Sequence, residues 1–349
     1  MRYVRATDGV RLAWAESGAG IPLVKAATWL THLEDDLDSP VWRHWTDFLS
    51  SRFRYVRYDE RGCGMSDWDI RDLTFDRRIA DLETVVDAAG LAEPFVLLGL
   101  SHGACVCIAY AVRHPERVAG MVLCGGFARG HLKRGDAKAA RTFEAIIALT
   151  DLWGSDNAAF REVFTSRFIP GGSDEQLRWF SDLCRKTTSP ELAGALLRVR
   201  AETDVSALLE RVRTPTLIMH AREDAIAPLA EGRLLAAEIP GAQFVELDSR
   251  NHVLLEHEPA WERFKDAVLE FTKQPAAPTG GGPAFDALSP RERETLALLA
   301  GGLSNAEIAE RLGISEKTVR NHLSHLFDKL GVWSRAQAIV FARDRGFSG

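Results

Sequence analysis

Gly99-Leu100-Ser101-His102-Gly103 sets a serine between two glycines, where the apolar run Phe95 to Leu100 meets a stretch of helical character through Ala104 to Val112. A serine on so sharp a strand-to-helix turn presents its hydroxyl to a pocket as a nucleophile, and the glycines leave the steric room. Such a nucleophile needs a base, and an acid to orient that base. The chain supplies both in the order Ser, Asp, His: Asp224 follows the strand ending at His220-Ala221, and His252 follows the strand through Leu247. Each lies in a loop after a strand C-terminus, so Ser101, Asp224 and His252 can converge on one sheet edge. Alone, Asp224 reads as a turn or cap residue and His252 as a buried polar one; their order and placement make them a catalytic triad for acyl transfer.

A second group of residues suits nucleic acid. From Ser304 to His322 the chain reads as two short helices joined by a tight turn, with Ser304 and Ser315 as N-caps and Gly313 able to take the left-handed conformation between them. On the second helix Val319, Leu323, Leu326 and Leu330 form an apolar stripe that must face a core. Lys317, Arg320, Asn321 and Ser324 share the opposite face, and their side chains suit phosphates and base edges in a major groove. Ser289 with Glu292 and Ser304 with Glu307 are capping boxes, and Ser334 with Gln337 opens a fourth helix carrying Ala338, Ile339 and Phe341.

Leu288 to Phe347 resembles the LuxR/GerE-type DNA-binding domain over its whole length. The resemblance implies backbone contacts from Lys317 and Thr318, base reading by Arg320, Asn321 and Ser324, and a fourth helix that dimerises. A homodimer on an inverted-repeat operator in double-stranded DNA is then expected. Residues 285 to 349 hold nine Lys/Arg against eight Asp/Glu, a balance of about plus one, which a protein-binding helical module would also fit. Convergence of basic and amide residues on one face favours DNA.

Stepping the rest of the chain into elements gives an α/β body. Asp8-Gly9 joins an antiparallel pair, and short apolar strands at Pro22–Ala27, Tyr55–Tyr58, Phe95–Leu100, Val118–Cys124, Thr216–His220 and Gln243–Leu247 alternate with helical segments, the signature of a mostly parallel sheet. Between about 130 and 213 no strand interrupts the helical pattern, which predicts a helical lid. Trp153, Phe160, Phe164, Phe168, Trp179 and Phe180 then line a pocket or form the lid's own core. Gln274 to Pro283, rich in Pro and Gly, reads as a linker spanning roughly 15 to 20 Å. The expected organisation is a body over 1–273, a linker over 274–284 and a small all-α domain over 285–349.

The body, Arg2 to Lys273, is similar to the α/β-hydrolase superfamily, with Asp59-Glu60-Arg61-Gly62-Cys63-Gly64-Met65-Ser66 matching that superfamily's structural D-x-R-G-x-G-x-S segment. The resemblance implies ester or lactone hydrolysis through an acyl-enzyme at Ser101. The chain departs where such hydrolases carry His-Gly, having Ala27-Thr28-Trp29 in the loop that supplies half the oxyanion hole. Backbone amides of Trp29 and His102 remain as donors, and a donor misplaced by Thr28 would cost about 2.7 to 4 kcal/mol. Lys25, on a buried strand, lines the pocket or enters an ion pair within the sheet.

The chain is 46% hydrophobic with a net charge of −6, so the body ahead of the C-terminal domain carries about −7 and would be repelled by DNA. No apolar run approaches the roughly eighteen residues of a membrane span, and the N-terminus lacks a signal-peptide hydrophobic region. The five cysteines suit free thiols in a reducing compartment, so a cytoplasmic protein is expected, with no metal or cofactor. The expected function is a transcriptional regulator whose hydrolase-like domain senses a small ester or lactone. The alternative is a working serine hydrolase tethered to a DNA-binding domain.

Overall fold

A computed structural model describes residues 1–155, 158–272 and 288–330 together with residues 332, 335, 338, 339 and 342. The chain divides into two compact units, Met1–Thr272 and Lys273–Gly349. The expected linker over 274–284 lies outside the described residues.

The first unit is built on strands β1 (Arg2–Arg5), β2 (Arg11–Ser17), β3 (Pro22–Lys25), β4 (Arg54–Tyr58), β5 (Phe95–Leu100), β6 (Val118–Cys124), β7 (Thr216–Ala221) and β8 (Gln243–Leu247). Their order across the sheet is β1-β2-β4-β3-β5-β6-β7-β8. β1 and β2 form an antiparallel pair and β2 meets β4 antiparallel, while every pairing from β4 through β3 to β8 is parallel. The first hairpin turns over Ala6–Gly9 rather than over Asp8-Gly9 alone, since Ala6 and Val10 still pair and Gly9 donates back to Ala6.

Strand β5 shows why the sheet is covered on both faces. Every residue of it is buried; Val96, Leu98 and Leu100 join one hydrophobic cluster while Phe95 and Leu97 join the other, the two-residue alternation of a strand. Helices α1 (Arg43–Arg52) and, much later in the chain, α9 (Pro259–Thr272) supply Trp45, Leu49, Trp261 and Phe264 to the first cluster. Helices α2 (Phe75–Ala88), α3 (Gly103–Arg113) and α8 (Leu229–Glu238) supply Ile79, Leu82, Ile108 and Leu235 to the second.

Between β6 and β7 stand α4 (Ala137–Ala148), α5 (Ala159–Ser166), α6 (Asp174–Thr187) and α7 (Pro190–Glu202), the helical lid that the sequence pattern predicts. An isolated antiparallel bridge, Arg129 to Asp204, closes its neck. The lid is also fastened to the body by polar contacts: Phe168 O accepts the N–H groups of His252 and Val253, and Thr187 O accepts that of Gly64. Its aromatics divide between the two expected roles, Phe164, Phe168 and Phe180 lining a cavity while buried Trp153 packs within the lid against Phe160 and Phe164.

Arg61 of the D-x-R-G-x-G-x-S turn anchors this unit. Its guanidinium is almost fully buried, forks onto Asp81 at 2.7 and 2.6 Å, and donates to Asp8 Oδ2 and Asp72 O at 2.8 Å. Burial opposes its charge, and the hydrogen bonds it donates to Asp81 and Asp8 more than restore it.

In the second unit α10 (Pro290–Ala300) and α11 (Asn305–Leu312) begin with complete capping boxes, Ser289 with Glu292 and Ser304 with Glu307. Gly313 ends α11 at φ 64°, and the Ser315 hydroxyl accepts Thr318 N–H as α12 (Glu316–Leu330) begins. Leu296, Leu299, Ile308, Val319, Leu326 and Leu330 are buried together, so the predicted stripe does face the core. Ala338 and Ala342 join that core, whereas Ser334, Gln337 and Phe341 of the expected fourth helix lie outside the described residues. No helix among the described residues is long and apolar enough to cross a membrane.

Removing one partner of a buried ion pair leaves a charge without compensation. Asp81→Ala should therefore lower the stability of the first unit by about 3 to 5 kcal/mol, read from the urea midpoint of the full chain. Asp8→Ala, which removes the more exposed partner, should cost clearly less; equal losses would contradict the role given to the buried fork.

Candidate active site

Ser101 sits where β5 ends and α3 begins, with φ 52°, one of two non-glycine residues in the left-handed region among the described residues. The turn is enforced by close packing, because a Cβ at Gly99 would stand 2.7 Å from Ala104 Cα. Ser101 N–H donates to Cys124 O and its carbonyl accepts from Ala104 N–H, both at 3.0 Å, which fixes the backbone on each side.

Asp224 and His252 meet across the loops after β7 and β8. His252 Nδ1 lies 2.6 Å from Asp224 Oδ2, and Asp224 Oδ1 accepts the N–H groups of Ile226 and Ala227 at 2.8 and 2.9 Å. Burial pushes the Asp224 carboxyl up, but His252, the Ala227 amide and His220 together hold it below its ordinary range. His220, its Nε2 on Ala227 O at 2.8 Å, packs behind the same loop. Among the described residues His252 Nε2 has no hydrogen-bond partner, and both Ser101 and His252 line one cavity.

That cavity is walled largely by aromatic rings: Trp29, Trp42 and Trp45 from the body, Phe164, Phe168 and Phe180 from the lid. Trp29 and His102 border it, and among the described residues neither backbone N–H is hydrogen-bonded to the protein. The expected difficulty at Thr28 shifts in sequence. It is Leu30 that takes the left-handed conformation, at φ 64°, held by Trp42 Nε1–H donating to its carbonyl at 2.9 Å. Thr28 instead closes a local turn by accepting the Thr31 hydroxyl at 2.9 Å.

The His102 imidazole is buried, with Nε2 3.1 Å from Thr203 Oγ1. Burial, then Arg78 and Arg200, push its pKa well below the ordinary value, so it is neutral. Lys25 departs from the pocket-lining expectation. Its ammonium lies 5.1 Å from the Trp42 ring centroid and lines a separate small cavity with Asp36 and Tyr55, on the far side of Trp42 and Trp45. Burial lowers its pKa to about 8, against the attraction of Asp36.

The sequence reading missed three participants: Leu30, Arg200 and Glu60. Arg200 borders the cavity, 5.2 Å from the Trp29 ring centroid, and its Nη2 reaches both Glu60 oxygens at 2.6 and 2.7 Å. No local spacing could reveal a pair 140 residues apart.

In the second unit Lys317 is exposed at the start of α12, and Thr318 is half-buried with its hydroxyl 2.8 Å from Ser315 Oγ. Arg320, Asn321 and Ser324 fall within α12; their side chains lie outside the described residues.

Two family models match the chain: an alpha/beta hydrolase fold over residues 31–259 and the luxR family of bacterial regulatory proteins over residues 286–342. A putative carbamate hydrolase of Caulobacter sp. (strain K31) is 29% identical over 245 residues, 68% of this chain and 87% of that protein. A probable HTH-type transcriptional regulator of Streptomyces halstedii is 55% identical over 62 residues, 18% of this chain and 26% of that protein. Among solved structures, a hydrolase from Pseudomonas aeruginosa PA01 superposes with a TM-score of 0.65 at 27% identity, covering 78% of this chain and 97% of that one.

Gly125, at φ 58°, lies against the imidazole: an added Cβ would stand 3.0 Å from His252 Cε1 and 3.1 Å from Nδ1. Gly125→Ala should displace the ring and cost about 1 to 3 kcal/mol. A low-field proton resonance from the short His252–Asp224 bond should be visible in the parent protein and vanish in both Gly125→Ala and Asp224→Asn. Its survival in Asp224→Asn would show that the resonance, and the inferred pairing, belong elsewhere.

Proposed function

Because the chain belongs to the α/β-hydrolase fold family and ends in a LuxR-family regulatory domain, we propose that it is a transcriptional regulator whose hydrolase-like domain binds a small ester or lactone. Occupancy of that domain then controls how the C-terminal helix-turn-helix engages DNA. The observation that carries this reading is the aromatic cavity itself, which holds a strained serine and a buried Asp–His pair ahead of a complete helix-turn-helix.

Lys317 and Thr318 take the phosphate backbone, and Arg320, Asn321 and Ser324 read base edges in the major groove. A dimer through the C-terminal helix places two such faces on an inverted repeat. With the body at about −7 and the C-terminal domain at about +1, affinity for DNA rests on the α12 face. For occupancy to act as a switch, the ligand must bind one state of the chain more tightly by a few kcal/mol.

A second reading is favoured by the unpartnered His252 Nε2 and the unpaired N–H groups of Trp29 and His102: the domain is a serine hydrolase that destroys its signal. Ser101 Oγ would attack the ester carbonyl while His252 Nε2 takes its proton, with Asp224 steadying the imidazolium and Trp29 and His102 amides the oxyanion. His252 would return the proton to the leaving alcohol, and water would release the acid from Ser101 by the same steps.

Titration of the full chain against an operator selected from a random duplex library tests the first reading. Arg320→Ala and Asn321→Ala should each weaken operator binding about tenfold or more without changing affinity for random DNA, whereas Lys317→Ala should weaken both alike. A chain that selects no sequence at all ends the proposal. Fluorophosphonate labelling of the parent but not of Ser101→Ala, with steady product release, would decide for the hydrolase.

A further inference from the structure

The formally charged side chains on the cavity wall are of one sign. Arg200 and Arg167 are the two ionised side chains on its wall, apart from the histidines, and both are cations. Arg200 shares its one carboxylate, Glu60, with Arg78, whose Nη1 lies 2.9 Å from Glu60 Oε2. All three groups are at most 8% exposed, so at the cavity wall Arg200 has only a share of one buried carboxylate, while Asp81, which also attracts Arg78, is held by Arg61. Arg167, half-buried, donates to Ala225 O at 3.2 Å and makes no ion pair among the described residues. Asp224 attracts it, but that carboxylate is already occupied by His252, Ile226 and Ala227.

Apart from the ring nitrogens His252 Nε2 and His102 Nδ1, the unpartnered polar atoms beside Arg200 are donors. Trp29 Nε1, Arg78 Nε and Arg78 Nη2 are buried without a partner, and each is a hydrogen-bond donor only. Trp29 lines the cavity, with Arg200 5.2 Å from its ring centroid and Trp153 stacked on it at 5.0 Å. Donors and cations beside aromatic rings suit an acceptor-rich anion joined to an apolar body.

Resting on the small-molecule reading above, we propose that the ligand of this cavity carries a carboxylate, received by Arg200 and Arg167, on an apolar body held among the aromatic rings. The site selects half-esters and acidic lactones, together with the acids they resemble, over neutral esters of the same size. Glu60 acts as a positioning residue: it holds Arg200 at the wall while dividing its charge between Arg200 and Arg78.

The test uses the full chain and two matched probes, 4-phenylbutyrate and its neutral isostere 4-phenylbutyramide, with binding read from tryptophan fluorescence. The acid should bind about tenfold or more tightly than the amide, the range set by one charge-assisted hydrogen bond. Arg200→Gln should abolish that preference. Because Arg200→Gln disturbs a buried network, Arg167→Gln serves as the second variant and should reduce the preference severalfold with an unchanged thermal midpoint. Equal binding of both probes, or tighter binding of the amide, overturns the proposal and leaves the small-molecule reading standing. Binding of neither probe likewise overturns the proposal, while the small-molecule reading stands or falls by its own operator titration.

Discussion

Helix α3 approaches strand β5 so closely at Gly99 that no side chain fits between them. That contact forces the chain to reverse within two residues, and Ser101 pays for it with a left-handed backbone. The strain persists because the surroundings over-determine it: β5 is buried along its length between β3 and β6, and α3 is buried on nearly every residue. The parallel strands then deliver Asp224 and His252 to the same edge, each on the loop that follows its strand. The site is thus a consequence of how the sheet is packed, and its geometry is only as rigid as the β5–α3 contact.

The lid is held to that frame by charge as well as by apolar area. Burial alone would raise the Glu60 carboxyl, and Arg200 and Arg78 hold it below the usual carboxylate range. A buried cluster of this kind adds little net stability relative to apolar packing, since desolvation cancels most of the Coulomb gain. What it supplies is registry: Arg200 from α7 can meet Glu60 only when the lid sits in one place. The Phe168 carbonyl, accepting from His252 and Val253, imposes the same registry on His252. Displacing the lid would therefore move Arg200 and disturb His252 together.

Much of this was legible in the sequence, because local rules governed it. Ser101 lies at a strand-to-helix junction between glycines, the loops of Asp224 and His252 follow apolar runs, and the capping pairs Ser289–Glu292 and Ser304–Glu307 mark helix starts that the structure reproduces. Tertiary packing decided the remainder. Nothing near Arg200 indicates that its partner is Glu60, and Lys25 looked like a pocket residue only because the thickness of Trp42 and Trp45 between two cavities cannot be read from spacing. The replacement of glycine by Thr28 drew attention to the right loop but the wrong residue. The conformational burden falls on Leu30, whose side chain is buried and whose carbonyl is fixed by Trp42.

Leu30 and Ser101 are the two non-glycine residues with positive φ among those described, and both border the cavity. A pocket that only had to enclose an apolar molecule would form more cheaply without either, since each costs on the order of 1 to 3 kcal/mol. Strain of that size is understandable if the cavity is shaped around a carbonyl, with Ser101 on one side of it and the Trp29 and His102 amides on the other. The receptor and hydrolase readings then share one geometry and differ in a rate. A regulator must stay occupied longer than the DNA-binding events it controls, so on the proposed reading the barrier to chemistry at Ser101 governs how long a signal is read, independently of how tightly the ligand is held.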